Sequence, residues 1–176
     1  MSFAWPGKAP FYSIDLGVGR AKNAAMAKPL LIVAFAPSPN TVRLRDAVVE
    51  GARESEIEVN VRSPFDTGPA DVLAAGAVIL GTTENLGYMS GALKDFFDRS
   101  YYACLEETQG LAYALYIRAG HDGTGTCRGV ETITTGLRWR AVHEPLICRG
   151  DFVENFAAQC RDLGRLMAAG LEAGIF

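Results

Sequence analysis

The sequence predicts an α/β fold, a three-layer doubly wound parallel sheet of five strands in the order 2-1-3-4-5. The first observation is that strand and helix patterns alternate from residue 29 onward. The second is that three strands are continuous apolar runs, which is typical of strands buried on both faces. These runs are Leu30–Ala36, Ala77–Gly81 and Leu111–Ile117. They are predicted to form strands one, three and four.

The remaining two strands have the character of sheet edges. Ile57, Val59 and Val61 alternate with polar residues, which indicates a half-exposed second strand. A fifth strand over 141–148 is interrupted by Pro145. Two edge strands flanking three buried ones match the 2-1-3-4-5 order, in which the loops after strands one, three and four share one rim.

Helix patterns separate the strands. A first helix is expected from Thr41 as its cap, with Leu44, Val48 and Ala52 on its apolar face. The later helices are predicted over 70–75, 90–104 and 128–137, and a long final helix carries apolar residues from Val153 to Leu171. Residues 64–68 are predicted as a loop.

Residues 1–28 differ from the rest because they contain several Pro and Gly residues and show no sustained periodicity of apolar residues. We interpret them as an N-terminal extension, poorly structured or in contact with another subunit, ahead of a single domain over 29–176. Met26 is an alternative natural start. An arm that packs through Trp5, Phe11 and Tyr12 is the other alternative.

Composition excludes several function classes. The net charge is −3 and no basic block exceeds two residues, which argues against nucleic-acid binding. No apolar run approaches the roughly 18 residues of a membrane span. The 4 cysteines form no C-x-x-C pair, so no metal site is expected. Scattered cysteines without a signal peptide favour the reducing cytoplasm.

The first loop, residues 36–41, follows strand one. Hydroxyls and backbone N–H groups at a helix N-terminus form an anion site. Ser38, Asn40 and Thr41 can therefore hold a phosphate, although Asn40 or Thr41 can equally serve only as a helix cap.

The second loop, residues 82–89, follows strand three. Its backbone amides can address the polar edge of a flat heteroaromatic ring, and Tyr88 lies at its end. The alternative is a surface turn in which Ser90 caps the next helix and Tyr88 and Met89 pack on the sheet.

The third loop, residues 119–127, follows strand four. Gly120, Gly123 and Gly125 permit close approach of the backbone to a ligand, or a mobile lid. His121 is either a substrate-facing imidazole or an exposed loop residue. Cys127 near a helix start is a weak candidate for a catalytic thiol.

A resemblance to a known family lies in residues 81–98, GTTENLGYMSGALKDFFD. The segment resembles, without a gap, the pattern G-T-P-T-R-F-G-N-M-x-G-x-x-K-x-F-x-D of the flavodoxin-like superfamily, specifically its NAD(P)H:quinone oxidoreductases and NADPH-dependent FMN reductases. The residues in register are Gly81, Thr82, Gly87, Met89, Gly91, Lys94, Phe96 and Asp98. Residues 47–52 also resemble the family's first helix.

The resemblance implies an oxidoreductase that uses FMN, with NAD(P)H as co-substrate and a quinone or similar small molecule as acceptor. It implies that Ser38, Asn40 and Thr41 hold the phosphate, and that Tyr88 and His121 shape the acceptor side as catalytic residues. It also implies a homo-oligomer. The ring would be held by Thr82, Thr83, Glu84, Asn85, Leu86 and Gly87, with Ala119, Gly120, Gly123 and Gly125 closing over it.

The sequence departs from the family at both ends of that site. Ala36 replaces a hydroxyl and Pro39 a glycine of the flavodoxin phosphate loop, and Thr83 and Asn85 stand where quinone reductases have Pro and Arg. Pro39 also removes a backbone donor. Two alternatives therefore stay open: an electron-carrier flavodoxin, and a flavin-free binding protein of the same fold.

Overall fold

The computed structural model describes residues 28–176. The predictions made for Met26, for Trp5, Phe11 and Tyr12, and for the extension as a whole lie outside the described residues. None of the helices formed by residues 28–176 combines the length and the apolar composition that a membrane span needs.

The sheet has the predicted order. Strand β1 (Leu30–Ala34) pairs in parallel with β2 (Val59–Arg62) on one side and with β3 (Ala77–Asn85) on the other. A two-residue strand, β4 (Tyr88–Met89), folds back antiparallel on β3, and β5 (Ala112–Ala119) pairs in parallel with β3. The outer edge of β5 carries two short parallel strands, β6 (Arg140–Ala141) and β7 (Leu146–Arg149).

Helices cover both faces of this sheet, which confirms the doubly wound α/β fold. The helices are α1 (Pro39–Ala52), α2 (Pro69–Ala74), α3 (Gly91–Cys104), α4 (Thr124–Gly136) and α5 (Glu154–Glu172). Side chains of α1 and α5 pack on one face of the sheet, and those of α2, α3 and α4 pack on the other. Because consecutive side chains of a strand point to opposite faces, each central strand contributes to both cores.

The first helix begins earlier than predicted. Ser38, not Thr41, is its N-cap, and Pro39 occupies the first helical position. Proline suits that position because the missing N–H has no partner there in any case. Thr41 lies within the first turn instead, where its side chain is buried.

The third and fifth strands also differ from prediction. Residues 82–85 were expected in a loop, but they extend β3, because Thr82 and Thr83 pair with Ile117 and Arg118 of β5. The fifth strand is not continuous but split into β6 and β7, which leave residues 142–145 outside the ladder. Pro145 lacks the N–H that a regular strand would need there.

Two further segments differ at their ends. Helix α4 was expected from residue 128 but begins at Thr124, since Gly123 adopts the left-handed conformation that starts it. Residues Pro64–Asp66 were expected in a loop and form a short 3-10 turn.

Candidate functional site

The carboxyl edge of the sheet brings the three predicted loops together. Strands β1, β3 and β5 are adjacent and parallel, so their carboxyl ends and the loops that follow lie on one rim. This is the place where open α/β sheets bind ligands, and the loops differ in how much of their hydrogen-bonding capacity is already used.

The hydroxyls of the first loop are bonded to each other. The Ser38 N–H donates to Thr41 Oγ1 at 2.9 Å, and Thr41 Oγ1 donates to the Ser38 carbonyl at 2.8 Å. The two hydroxyls also lie 3.0 Å apart. This reciprocal capping gives the Ser38 and Thr41 backbone N–H groups their acceptors without a ligand.

Few donors remain in the first loop for an anion. Pro37 and Pro39 have no N–H, and Ser38 is the exposed cap. Among the described residues, the Asn40 backbone N–H finds no acceptor. The first loop therefore offers the backbone amides of Ala36 and Asn40, together with the exposed Asn40 side chain, where a phosphate group would need several donors.

The second loop is a tight β-hairpin. Glu84 pairs with Met89 and Asn85 with Tyr88, so Leu86 and Gly87 form the two-residue turn. Both turn residues have positive φ, 52° for Leu86 and 74° for Gly87, as a type I′ turn requires. Leucine rarely adopts this conformation, and the Leu86 side chain is fully exposed.

The base of the hairpin is fixed from inside. Thr82 is buried, and its Oγ1 accepts the Ser90 backbone N–H and bonds the Ser90 hydroxyl, each at 3.1 Å. Ser90 Oγ in turn accepts the Leu93 N–H as the cap of α3. The Thr83 hydroxyl donates to the Asn85 side-chain carbonyl at 2.6 Å. Thr82 is thus committed to this network rather than exposed at the rim.

A single carboxylate joins the second and third loops. Glu84 Oε2 accepts the His121 backbone N–H at 2.7 Å, and Glu84 Oε1 accepts the Gly123 N–H at 3.1 Å. These amides precede the N-terminus of α4, where negative charge is stabilised. The two amides form an anion site, and a side chain of the same protein fills it.

The hairpin also packs directly on α4. A Cβ atom at Gly125 would lie 2.0 Å from the Gly87 carbonyl oxygen, and one at Gly129 would lie 2.4 Å from the Tyr88 ring. A side chain at position 125 would therefore collide with the hairpin backbone, whereas one at position 129 would require the Tyr88 ring to shift. Tyr88 lies on this surface with 40% of its area exposed. The second and third loops form one closed unit rather than two walls of an open slot.

The remaining groups of the third loop face solvent or are buried without a reactive role. His121 is exposed, and the Asp122 carboxylate accepts the Thr124 N–H, which lowers the pKa of Asp122. Burial raises the pKa of the Cys127 thiol, and the negative charge of Glu131 adds to it. A raised pKa is the opposite of what a catalytic thiolate needs. Ala119 is buried and Gly120 is exposed at the turn.

Arg118 holds the third loop in place, and sequence analysis missed it. Its guanidinium donates to the carbonyls of Ala119, Cys148 and Gly150. The available signal was a single charged residue at the end of an apolar strand.

Thr126 is also notable because its buried hydroxyl has no partner among the described residues. Within residues 28–176, no three His, Cys, Asp or Glu side chains cluster as a metal site requires.

No protein-family model matches this sequence, and no curated protein is significantly similar to it. Solved structures are similar in fold. An archaeal flavodoxin has a TM-score of 0.70 at 18% identity, covering 82% of this chain and 99% of that one. A WrbA-like flavodoxin from Agrobacterium tumefaciens has a TM-score of 0.66 at 16% identity, covering 82% and 97%.

Larger proteins contain the same fold as one part. Rubredoxin oxygen:oxidoreductase from Desulfovibrio gigas has a TM-score of 0.71 at 14% identity, and the match covers 85% of this chain but 38% of that one. At these identities the similarity establishes the fold and not the activity. The chain has the flavodoxin-like fold, as the resemblance of residues 81–98 predicted.

The rim fits flavin mononucleotide only in part. The His121 and Gly123 amides suit a carbonyl edge of an isoalloxazine ring, but the Glu84 carboxylate occupies them. The phosphate end does not fit, because Ser38 and Thr41 satisfy each other and prolines replace two donors. Binding at this rim therefore requires the Glu84 side chain to turn away and the first loop to rearrange.

Proposed function

We propose that this chain is a redox protein that binds flavin mononucleotide at the carboxyl edge of its sheet and passes electrons from NAD(P)H to a quinone or a similar small acceptor. The observation that best supports the proposal is the pair of backbone amides, from His121 and Gly123, that point at the Glu84 carboxylate. They provide hydrogen-bond donors where this fold binds ligands. The resemblance of residues 81–98 supports the identity of the ligand.

In this proposal the chain positions the reactants. Flavin, when bound, supplies the chemistry of accepting hydride and releasing electrons. The two amides of the third loop, now bonded to Glu84, would hold the ring if the Glu84 side chain turned away. Tyr88 and His121, both exposed on this rim, limit how the acceptor approaches. Asn40 would supply one of the free backbone amides of the first loop to the phosphate.

A second candidate function is that of a flavin-free binding protein. The closed Ser38–Thr41 cap favours it, because the Ser38 and Thr41 N–H groups already have acceptors without a phosphate. The Glu84 contact favours it as well, since the hairpin and the third loop close on each other. In this case the rim is a structural joint, and any ligand binds elsewhere.

The deciding experiment is to incubate the purified protein with FMN, remove excess FMN by desalting, and record the visible spectrum. Retained flavin absorbance together with oxidation of NADPH or NADH by a quinone is the expected result. Flavin retention without NAD(P)H oxidation would identify an electron carrier. A colourless protein that leaves FMN fluorescence unquenched would establish the second candidate and overturn the first.

A variant tests the role assigned to Glu84. In Glu84→Gln the neutral side chain holds the two amides less strongly than a carboxylate does. We expect this variant to bind FMN several-fold more tightly than wild type. Glu107→Gln, an exposed site outside the three loops, is the matched control and should leave affinity unchanged.

The same proposal includes a homo-oligomer in the cytoplasm that acts on small molecules and not on nucleic acid. Exposed apolar side chains are compatible with a subunit interface, since Leu86 and Tyr102 are largely accessible in the single chain. Light scattering coupled to size-exclusion chromatography measures the subunit number directly. A monomer at all concentrations would contradict this part of the proposal.

A further inference from the structure

A cavity separate from the Glu84 contact lies at the carboxyl ends of β1 and β2. It has a volume of about 250 Å³. Residues from the end of β1 and the first loop form one wall, and the end of β2 forms the other. The lining residues are Ala34, Phe35, Ala36, Pro37, Arg45, Val61, Arg62 and Ser63.

Two arginine residues are among those that line this cavity. Arg45 comes from α1, and Arg62 comes from the end of β2, where it pairs with Asp71 of α2. The Nε and Nη2 atoms of Arg45 both donate to Asp46 Oδ1. The Nε atom of Arg62 lies 3.2 Å from Asp71 Oδ1. In the described part of the chain, their other nitrogen atoms have no protein acceptor.

These ion pairs leave the arginines available to an anion. Three of the four side chains in the two pairs are at least one-third exposed, so water screens the pairs and they contribute little. A phosphate dianion accepts several N–H bonds at once and competes well for guanidinium donors. Asp46 and Asp71 meanwhile restrict where the two side chains can lie.

An aromatic side chain is held beside the cavity. Phe65 is 62% exposed and lies edge-to-face against Phe35, with ring centroids 6.3 Å apart. Its turn is fixed by Arg99, whose guanidinium donates to the Pro64 carbonyl at 2.7 Å and to the Thr67 carbonyl at 2.8 Å. Phe65 is therefore a positioned surface on which a nucleobase can stack.

A backbone carbonyl adds a third kind of contact. Val33 pairs with Arg62 in the β1–β2 ladder, so residue 64 would donate the next hydrogen bond to the Ala34 carbonyl. Residue 64 is proline and has no N–H. The Ala34 carbonyl thus has no strand donor and faces the cavity that it lines, where a ribose hydroxyl can donate to it.

We propose that this cavity binds a nucleoside phosphate. The phosphate lies between Arg45 and Arg62, a ribose hydroxyl donates to the Ala34 carbonyl, and the base stacks on Phe65. The lining does not include Glu84, His121 or Gly123, although Ala36 and Pro37 belong to the first loop. It gives this protein a nucleotide site between β1 and β2, beside the first loop.

The test uses calorimetric titration of the full-length, flavin-free protein with 5′-AMP, inorganic phosphate and adenosine in turn. We expect AMP to bind at least tenfold more tightly than either phosphate or adenosine alone. Arg45→Gln and Arg62→Gln should each weaken AMP binding at least tenfold, and Phe65→Ala should weaken AMP but leave phosphate binding unchanged. Arg53→Gln, at the exposed end of α1, is the control and should bind AMP like wild type.

Several results would overturn the proposal. If the wild-type protein shows no detectable AMP binding, the proposed site does not exist. If AMP and phosphate bind with equal affinity, the base makes no contact with Phe65. Wild-type affinity in both Arg45→Gln and Arg62→Gln would place AMP elsewhere. Thermal melts of each variant show whether it is folded, and Phe65→Ala, which removes an exposed side chain, tests the site without disturbing an ion pair.

Discussion

Replacing Gly164 with alanine tests how closely α1 and α5 approach each other. A Cβ atom at Gly164 would lie 2.0 Å from the Val48 carbonyl oxygen and 3.0 Å from the Ala52 nitrogen. The contact is reciprocal, since a Cβ at Gly51 would lie 1.9 Å from the Arg161 carbonyl oxygen. The two helices therefore meet backbone to backbone, and no flexible side chain can yield.

Helix propensity and packing predict opposite changes in the free energy of unfolding for this substitution. Alanine in a helix interior is more favourable than glycine by about 1 kcal/mol. Ordinary carbon contacts need roughly 3.5 Å, so the helices must separate by more than about 1 Å. Such separation loosens the apolar layer that includes Leu44, Val48, Leu163 and Met167. Overpacking costs about 1–3 kcal/mol, and we expect the loss in this layer to exceed the propensity gain.

Urea unfolding of Gly164→Ala and wild type measures the difference. We expect the variant to lose about 1–2 kcal/mol of unfolding free energy, with a melting temperature lower by roughly 2–4 °C per kcal/mol. Gly91→Ala is the matched control, because a Cβ there meets nothing within 4 Å, and it should be neutral or slightly stabilising. A Gly164→Ala protein at least as stable as wild type would refute the reasoning.

Three further predictions concern the sheet, a thiol and an ion pair. Gly81→Ala places a Cβ 2.2 Å from the ring of buried Tyr116, so urea unfolding should show a loss of about 1–3 kcal/mol; wild-type stability would contradict it. Because burial raises the pKa of Cys127, its alkylation, located by mass spectrometry, should be slow at neutral pH and accelerate above about pH 9, and fast reaction at pH 7 would disprove it. Arg43 lowers the pKa of Glu154, so the stabilisation from this pair holds above the unfolded pKa and is lost as pH falls through the folded one. Because the pair is exposed, Arg43→Gln should lower the urea midpoint only slightly, and by more at neutral pH than in acid, where only the contact with Phe152 is lost; an equal effect at both pH values would exclude the ion pair as the cause.

The strand order could be predicted from the sequence because burial leaves a local pattern. Strands covered on both faces are continuous apolar runs, such as Leu30–Ala34, and an edge strand such as Val59–Arg62 alternates. The capping role of Ser90, which was one of the two alternatives for the second loop, rests on the same kind of local signal, since a hydroxyl stands directly before an amphipathic run. These features depend on neighbours within a few residues.

The hairpin could not be predicted in this way. Thr82 and Thr83 are polar and follow a glycine, which locally indicates a loop, and only their pairing with β5 makes them part of a strand. A type I′ turn is usually signalled by Asn-Gly or Asp-Gly, whereas here it is Leu86-Gly87. The partners of Glu84 lie more than thirty positions away, so no local pattern could assign its carboxylate to them.

The conformation of Leu86 shows what holds the second loop in place. A leucine with φ of 52° is strained by about 1–2 kcal/mol, and its fully exposed side chain gains no burial in return. The surrounding contacts must therefore impose the turn. The Glu84 carboxylate and the close approach of Gly87 to Gly125 are the contacts available to do so. It follows that the second and third loops are coupled, because any ligand that displaces Glu84 also releases a strained turn. Relaxation of the hairpin then offsets part of the free energy that is lost when the Glu84 hydrogen bonds break.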